Sequence, residues 1–524
     1  MWKLPTLLLL LCAPLVSQRP LPDDRAGGGA TITTDALRSW LTTLASTEYA
    51  GRGTGSDGFG KAAALMRDHF AEIGLAPFGD EGSGERSYWQ AIPWTRLRAN
   101  PDETALVVSA GQESVLRLTP GQGLHGQATG SSDAAGPVAL VVIRERDRDA
   151  LSDMDLEGKI VLLQVSGGRL SQRLIRELRS GKPAAWLAVD DDACERYPSL
   201  AGMSRPGAGA ANRAIRGRGV APNRLYTTSS TVTDLLAAAG VEAPADDTKE
   251  PTLLDLPGLT GQLDVKVLTA QAPAYNVVGV LPGTDPELRD EYVVIGSHLD
   301  HLGDRRGTIY PGADDDGSGS VGVMAVARAF AQNPTPPRRS VLFVTFCGEE
   351  LGLVGSDFFV KNSPIPLGSI VAQLQLDMIG RDEESGDERA SDNTNSLHLI
   401  GTKKLSAELH DLCLRRNELG AGFDLEWDEE DVFFRSDHFN FARAGIPIAF
   451  FFTGFHADYH KPTDTVEKIN FDKLARVARY VYDIAFELAM ADGRPMVDAE
   501  RWASLRSAMR GRAPEQPAAP MKKQ

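Results

Sequence analysis

The pattern of apolar and polar positions changes along the chain, and it is most regular in the second half. From about residue 275 onwards, short apolar runs alternate with segments in which apolar residues recur at helical spacing, as Val323, Val326 and Phe330 do. A long amphipathic helix is predicted over residues 471–490. Because strands that alternate with helices form a sheet covered on both faces, this half predicts an α/β fold with a mixed, largely parallel central sheet flanked by helices.

The first half carries a different pattern. Two helices are predicted over residues 36–46 and 58–73, and Gly74 is placed to end the second. Between residues 102 and 268, short β-rich runs are separated by turns, and no cluster of candidate metal ligands falls among them. We interpret this span as an inserted all-β or α+β module that carries no chemistry.

These changes of pattern predict how the chain is divided. At 524 residues the chain exceeds one ordinary domain. The composition of the last segment, rich in Ala, Pro and Arg, is typical of disorder. The expected segments are a signal peptide over residues 1–18, the N-terminal part of the main domain over 30–101, the inserted domain over 102–268, the main α/β domain over 269–492, and a disordered tail over 493–524.

Charge and the N-terminal sequence narrow the choice of partners and compartment. A net charge of -16 disfavours binding to nucleic acid, because phosphate contacts require clustered Lys and Arg.

The apolar run over residues 7–16 follows Lys3 and is shorter than the roughly 20 residues that a membrane span needs. We therefore expect a cleaved secretory signal, a secreted or periplasmic protein, and no stable membrane anchor.

The cysteine count argues against a disulfide scaffold. Removal of the signal would leave Cys194, Cys347 and Cys413, and an odd number in an exported chain allows one disulfide at most. The fold is therefore expected to depend on a packed core.

Candidate chemistry lies where the predicted strands end. In α/β sheets the loops at the carboxyl ends of the strands converge, so polar residues at these ends come together. The residues in these places are His298 and Asp300, the triplet Asp314, Asp315 and Asp316, the pair Glu349 and Glu350, Asp377, and His460. Imidazoles and carboxylates suit zinc or a similar divalent ion, and two ions that share a carboxylate favour hydrolysis. Each residue alone also has an ordinary structural explanation, but their recurrence at successive strand ends favours a metal site.

Six stretches around these residues occur in the order found in a known family. They are IGSHLDHLG, PGADDDGSGS, FCGEELGLVGS, LQLDMIGR, RSDHFNFARAGIP and FTGFHADYHKPTDT. Together they resemble the M28 family of co-catalytic zinc peptidases, which includes many secreted aminopeptidases. The resemblance covers about residues 275–490, and the helices before residue 78 are similar to the N-terminal segment of the family. It implies the zinc-exopeptidase fold, which is phosphorylase/hydrolase-like.

The resemblance implies a site for two zinc ions per chain. The implied ligands are His298 and Asp377 on one ion, Glu350 and His460 on the other, and Asp315 as the bridge between them. Asp315 is chosen because the bridging Asp of the family stands four residues before the Gly of a Ser-Gly pair, here Gly319, and Asp314 is the alternative. The family also has a non-proline cis peptide bond after this Asp.

Three further residues match family positions that act beside the metals. Glu349 would be the general base, which takes a proton from the metal-bridging water and passes it to the leaving amine. Asp300 would accept a hydrogen bond from the imidazole of His298 and so orient it. Tyr459 would donate a hydrogen bond to the developing oxyanion. The implied function is an aminopeptidase that hydrolyses N-terminal bonds of peptide or protein substrates through a metal-bridged hydroxide.

Other functions stay open beside this one. Relatives act as carboxypeptidases or dipeptidases, and the fold also occurs in receptor-like proteins that have lost their metal ligands. In the inserted module, LEGKIVLLQVSG and APNRLYTTSSTVTDLL resemble the protease-associated (PA) domain that is often inserted in this family.

The remaining histidines of the main domain have no role implied by the family. His438 is expected to line the pocket. The others are expected to be solvated or to support a ligand from behind, and they are His301, His398, His410 and His456.

Overall fold

The computed structural model describes residues 25–166, 170–197, 199–201, 203–206, 223–244, 250–305, 307–384, 389–427 and 430–511. The predicted signal peptide over residues 1–18 and the end of the predicted tail, residues 512–524, lie outside these ranges. Within the part of the chain that is described, no helix combines the length and the apolar character that crossing a bilayer requires.

A mixed sheet forms the centre of the main domain. Within the described ranges it has nine strands. Near one edge, the strand Tyr275–Leu281 pairs with two short strands, Ala76–Pro77 and Trp89–Ala91. From that edge the order is Ala76–Pro77, Tyr275–Leu281, Ser340–Phe346, Tyr292–His298, Ile370–Leu376, Ile448–Phe452, Ser396–Ile400 and Asp424–Glu426. The four strands from Ser340–Phe346 to Ile448–Phe452 are mutually parallel. The predicted α/β fold is confirmed.

Both faces of this sheet are buried, as its near-continuous apolar strands require. In Tyr292–His298, Val293 and Ile295 belong to the apolar cluster on one face and Val294 to the cluster on the other. The helices on the first face are Thr34–Leu44, Asp57–Glu72, Gly319–Gln332, Ala407–Arg416 and Phe471–Met490. Those on the second face are Val354–Lys361, Thr402–Leu405 and His438–Arg443. The carboxyl ends of the four parallel strands all lie at one edge of this sheet, between the two layers of helices.

The helix bounds follow local sequence signals. Ser56 caps Asp57–Glu72 by accepting a hydrogen bond from the backbone N–H of Phe59, and Gly74 follows the helix at φ 81°. Asn470 caps Phe471–Met490 in the same way. The helices predicted over 58–73 and 471–490 are thus found within a residue of their expected ends.

A second sheet occupies the span predicted to be an insert. Its nine strands within the described ranges lie in the order Leu200–Ala201, Gly123–Gln127, Arg224–Thr227, Ala185–Val189, Ile160–Val165, Ser132–Ile143, Thr252–Val265, Ala105–Ala110 and Glu113–Pro120. Helices accompany it at Gln172–Ser180, Asp191–Arg196 and Ser229–Ala239. The sheet has apolar clusters of its own, separate from those of the main sheet. This span is therefore α+β, while its limits as a domain stay a prediction.

Short strands flank the inserted span. Trp94–Ala99 pairs with Val267–Gln271 and with Met203–Pro206 in a three-stranded sheet. Two hairpins complete the strands, Glu81–Gly82 with Glu85–Arg86 and Gly303–Arg305 with Thr308–Tyr310.

The cysteines Cys194, Cys347 and Cys413 are free and buried, so these three residues form no disulfide.

Part of the segment predicted to be a disordered tail is a helix, Ala499–Gly511. Asp498 begins it by accepting hydrogen bonds from two backbone N–H groups, those of Glu500 at 3.0 Å and Arg501 at 2.9 Å. Trp502 and Leu505 pack against the apolar cluster on the second face of the main sheet. The prediction of disorder was wrong for these residues, because two apolar side chains at helical spacing are enough to dock the segment.

Candidate metal centre

The candidate ligands come from loops at the carboxyl ends of the parallel strands. His298 is the last residue of its strand, and Asp377 directly follows the neighbouring strand Ile370–Leu376. Glu349 and Glu350 follow the strand on the other side, Ser340–Phe346. Because these strands are adjacent and parallel, side chains that are far apart in sequence meet at one edge of the sheet.

The first group of ligand atoms surrounds the imidazole of His298. Its Nε2 lies 3.3 Å from Oδ1 of Asp315 and 3.5 Å from Oδ1 of Asp377. Glu349 stands at the margin of this group, with Oε2 3.9 Å from the same nitrogen. All three ligand residues are buried, so the group is shielded from bulk water.

The second group forms on the other oxygen of the same carboxylate. Oδ2 of Asp315 lies 3.0 Å from Nε2 of His460, and that nitrogen lies 3.3 Å from Oε2 of Glu350. A third imidazole is also present, because Nδ1 of His301 lies 2.8 Å from Oε1 of Glu350. The carboxylate of Asp315 therefore lies between two groups of nitrogen and oxygen atoms.

The other two members of the acidic triplet have different partners. Asp314, the alternative bridge, accepts a hydrogen bond from the backbone N–H of Gly380 at 2.7 Å, and its other oxygen lies 3.3 Å from Nε2 of His456. Asp316 accepts backbone hydrogen bonds from His298 at 3.1 Å, Gly319 at 2.8 Å and Met378 at 3.2 Å. The peptide bond between Asp315 and Asp316 is cis.

Asp300 contacts the site differently from the expectation. Nδ1 of His298 bonds to the backbone carbonyl of Asp300 at 2.9 Å, whereas the carboxylate oxygen Oδ1 is 3.9 Å away. That carboxylate instead accepts hydrogen bonds from the backbone N–H of Glu349 at 3.1 Å and from the hydroxyl of Thr54 at 2.7 Å. Asp300 therefore orients His298 through its main chain and holds the Glu349 backbone through its side chain.

Burial and charge drive the pKa values of the two adjacent glutamates apart. Burial raises the pKa of the Glu349 carboxyl well above its ordinary value, and the charge of Glu350 adds to this shift. Burial also opposes ionisation of Glu350, but the imidazoles of His301 and His460 outweigh it and lower the pKa of Glu350 to about 2. Desolvation lowers the pKa of His460, yet the carboxylates of Asp315 and Glu350 raise it to about 10.

Tyr459 stands beside the second group. Its ring stacks on that of His460 with 3.9 Å between ring centroids, and its hydroxyl accepts a hydrogen bond from Arg435 at 3.2 Å. Burial raises the pKa of the phenol well above its ordinary value, and the charge of Asp315 acts in the same direction. The hydroxyl therefore stays protonated and can donate a hydrogen bond near the ligand cluster.

Several histidines expected to be solvated or to support a ligand from behind are buried. His301, His398 and His456 are all within the protein. His398 forms a 2.8 Å hydrogen bond with Glu383, and the carboxylate of Glu426 lies 3.6 Å from the same nitrogen. His438 is buried as well, with Nε2 donating to the carbonyl of Phe433 at 2.9 Å. Sequence position gave no signal for His301 beyond its place three residues after His298.

The donor set fits divalent metal ions. The ligand atoms of His298, Asp315 and Asp377 all lie within 4.8 Å of one another, and so do those of His301, Asp315 and Glu350. Within the described part of the chain, neither His301 Nδ1 nor Glu350 Oε1 has a hydrogen-bond partner, although both atoms are buried. Buried polar atoms normally are paired, so atoms that converge without hydrogen bonding are typical of metal ligands.

Comparisons with known proteins give a family profile and several relatives that are similar to part of this chain. Residues 276–485 match the sequence profile of the family described as Peptidase family M28. Leupeptin-inactivating enzyme 1 of Streptomyces exfoliatus is 31% identical over 235 residues, which are 44% of this chain and 46% of that protein. A probable leucine aminopeptidase of Arthroderma otae is 27% identical over 41% of this chain and 58% of that protein. The chain thus spans about half the length of the curated relatives it matches.

Among solved structures, the chain is similar to a zinc aminopeptidase from Bacillus subtilis. It shares 18% sequence identity with a TM-score of 0.49, over 88% of this chain and 97% of that one. The chain therefore has an α/β domain in which residues that could hold metal ions lie at the carboxyl ends of the parallel strands. Over residues 276–485, the sequence of this domain is similar to peptidase family M28.

Proposed function

We propose that this chain is an exported zinc aminopeptidase that binds two zinc ions and uses Glu349 as its general base. The observation that carries the proposal is the position of Asp315, whose two oxygens face His298 at 3.3 Å and His460 at 3.0 Å. One carboxylate shared by two groups of ligands is the arrangement that a pair of metal ions requires. The names of the curated relatives, which include leucine aminopeptidases, support the substrate class.

Each residue near the ligands has a task in this proposal. When bound, the two ions polarise the scissile carbonyl and lower the pKa of water. Glu349 accepts the proton of that water and returns it to the leaving amine, a task suited to a carboxyl whose pKa is raised by burial. The contact between Asp300 and the Glu349 backbone keeps this carboxyl in place. Tyr459 donates a hydrogen bond from its hydroxyl to the carbonyl oxygen as negative charge develops there.

Replacement of Glu349 by Gln tests the proposal. The amide keeps the size of the side chain but cannot accept the proton, so hydrolysis of an aminoacyl chromogenic substrate should fall by at least about a hundredfold. Zinc content, measured by elemental analysis, should stay at two ions per chain in the purified variant. Glu48→Gln, on the surface and away from the ligands, is the matched control. Retained hydrolysis in Glu349→Gln, or wild-type protein without zinc, contradicts the proposal, and absence of zinc would favour the receptor-like alternative.

The aminopeptidase assignment has its own test. The same enzyme preparation is given an aminoacyl substrate and its N-acetylated form. An aminopeptidase requires the free amine, so the blocked substrate should be cleaved far more slowly. Equal rates would favour the carboxypeptidase or dipeptidase alternatives.

Sequencing the N-terminus of protein recovered from the medium or periplasm tests the export signal, with cleavage expected near residue 18.

The inserted span enters the proposal as a PA-like domain over residues 102–268. Support comes from its separate apolar clusters and from the strands at its base, where Val267 pairs with Ala99 in antiparallel register. Because these two residues are neighbours, a short hairpin turn can replace residues 100–266, a change that also removes Met203–Pro206, the other strand that pairs with Trp94–Ala99. The shortened chain should still hydrolyse small aminoacyl substrates. Loss of folding in the shortened chain would mean that the span is not a separate domain.

A further inference from the structure

His301 occupies a position beside the second group of ligands that none of the family motifs assigns. Its side chain is completely buried, and its Nδ1 lies 2.8 Å from Oε1 of Glu350 and 3.7 Å from Oδ2 of Asp315. These distances are comparable with those from His460 Nε2 to the same two carboxylates, 3.3 Å and 3.0 Å. Two imidazole nitrogens therefore face one pair of carboxylates.

The contact between His301 and Glu350 is close, but it lacks the angle of a regular hydrogen bond. Neither atom has a hydrogen-bond partner among the described residues, in spite of the 2.8 Å separation. Donor and acceptor atoms in such a contact normally point at each other. A metal ion bound between the two atoms would give both of them a partner.

The spacing of these atoms fits a common metal ion. Zinc binds nitrogen and oxygen at about 2.0–2.2 Å, so ligand atoms that subtend 90–110° at the ion lie roughly 3.0–3.5 Å apart. The distances around Glu350 and Asp315 range from 2.8 Å to 3.7 Å and are centred on this interval.

The protein fixes the imidazole of His301 in this place. Gly312 lies against the ring in the left-handed region, at φ 56°, and a Cβ at this position would lie 2.4 Å from the ring. The backbone N–H of His301 donates to the carbonyl of Arg52 at 3.3 Å. Arg52 in turn donates to the carbonyls of Pro311 and Gly312 at 2.6 Å and 2.8 Å. The ring position is therefore built into the loop.

We propose that Nδ1 of His301 is a fourth protein ligand of the second metal ion, together with Asp315, Glu350 and His460. The inference rests on the proposed function, because it concerns the same metal centre. It makes the two positions unequal. The second has four protein ligands and can take water or substrate only as a fifth ligand, whereas the first has three, His298, Asp315 and Asp377, and so keeps an open place.

Two consequences follow from this inequality. The second ion binds more tightly than the first, so a chelator removes the two ions in separate steps. The second position also favours zinc over manganese or magnesium, because two imidazoles suit zinc and the harder ions prefer oxygen.

Titration of the metal-free protein with zinc, followed by calorimetry, tests the inference. Wild-type protein should bind two ions in two steps. In His301→Ala the tighter step should weaken at least tenfold, and the weaker step should stay within about threefold of its wild-type value. His69→Ala is the control, because His69 is also buried but bonds to the carbonyl of Met324 away from the ligands. Two unchanged steps in His301→Ala overturn the inference.

A spectroscopic measurement distinguishes a ligand from a residue that only positions a ligand, since loss of either weakens binding. Cobalt replaces zinc, and the visible absorption bands of the tightly held ion should shift in His301→Ala if a nitrogen ligand is lost. In crystals of the zinc-loaded protein, Nδ1 should lie about 2.0–2.1 Å from the ion. Unchanged cobalt bands, or a zinc-loaded structure with Nδ1 beyond 3 Å, overturn the inference alone. Failure of wild-type protein to bind zinc overturns the proposed function with it.

Discussion

Asp464 accepts a hydrogen bond from the backbone N–H of Asp315, with 3.2 Å between the nitrogen and Oδ2. The same carboxylate accepts the N–H of Asp314 at 3.0 Å and 3.1 Å to its two oxygens. Asp464 is buried and lies in the loop that also carries His460. The loop of one candidate ligand therefore holds the backbone of another, so the positions of Asp315 and His460 are set together.

Replacement of Asp464 by Asn should weaken zinc binding. The amide is neutral, and one of the two oxygens that the Asp314 N–H contacts becomes an N–H donor, so the hydrogen bonds to the Asp314 and Asp315 backbone weaken. Changes to groups that orient metal ligands typically reduce affinity 10–100-fold, and we expect a loss of about that size in a calorimetric titration.

The control for this variant is Asp458→Asn in the same loop. Asp458 contacts Arg381 at 3.2 Å and Lys468 at 2.6 Å and lies outside the ligand cluster. Its zinc affinity should stay near the wild-type value. Equal affinities in Asp464→Asn and wild type would show that the loop holds Asp315 without this carboxylate.

The sequence was sufficient for the parts of the fold that local patterns determine. Phe471–Met490 has apolar residues at helical spacing throughout, and the buried strands are continuous apolar runs that end at polar residues. Placement of His298 and Asp377 together followed from the rule that parallel strands converge at their carboxyl ends.

Contacts between distant segments could not be obtained in this way. Arg52 reaches the carbonyl of Leu299, 247 residues later, and Asp464 reaches Asp315, 149 residues earlier. His301 lies in the stretch IGSHLDHLG, but its contact with Glu350 could not be predicted, because it depends on the direction in which a loop turns after His298. Such roles depend on three-dimensional placement of loops, which have no periodic pattern to predict them.

Arg52 is a fully buried arginine that ties the N-terminal segment to the metal loop, and its replacement by Lys should destabilise the protein. Its guanidinium donates to the carbonyls of Leu299 at 3.0 Å, Pro311 at 2.6 Å and Gly312 at 2.8 Å. A lysine ammonium cannot span these acceptors, and buried carbonyls without partners cost about 1–3 kcal/mol each. We expect a loss of about 3 kcal/mol or more in the free energy of unfolding, measured with denaturant.

Arg67→Lys is the matched control for this change, since Arg67 is only half-buried and pairs with the exposed Asp68. Exposed ion pairs contribute little, so the control should change stability by less than about 0.5 kcal/mol. If Arg52→Lys behaves like Arg67→Lys, the carbonyls around Arg52 have found other donors.

His438 should make the metal-free protein less stable in acid. Burial lowers the pKa of His438 to about 3, although its bond to the Phe433 carbonyl opposes this shift. Below pH 6.5 the unfolded chain binds a proton at this residue and the folded protein does not, so stability falls as the pH falls towards 3. Between pH 6.5 and 4.5 the loss from this group is about 2–3 kcal/mol.

The variant His438→Gln lacks this proton-binding group, so it isolates the effect. Its stability relative to wild type should improve by about 2–3 kcal/mol when the pH is lowered from 7.5 to 4.5. Between pH 7.5 and 8.5 the difference should stay constant, because His438 is neutral in both states there. A difference that does not change between pH 7.5 and 4.5 would mean that His438 titrates alike in the folded and unfolded chains.

Thr54 should affect the rate of hydrolysis through Asp300 and Glu349, if Glu349 is the general base. The hydroxyl of Thr54 holds one oxygen of Asp300 at 2.7 Å, and the other oxygen holds the Glu349 backbone at 3.1 Å. Thr54→Val removes the donor but keeps the shape of the side chain, so Asp300 is free to turn. We expect kcat to fall about tenfold with little change in KM, because substrate contacts are preserved while the base is displaced. Thr54→Ser restores the donor and should recover most of the rate, with zinc content equal in both variants. Equal rates in the Val and Ser variants would mean that Asp300 holds Glu349 without help from Thr54.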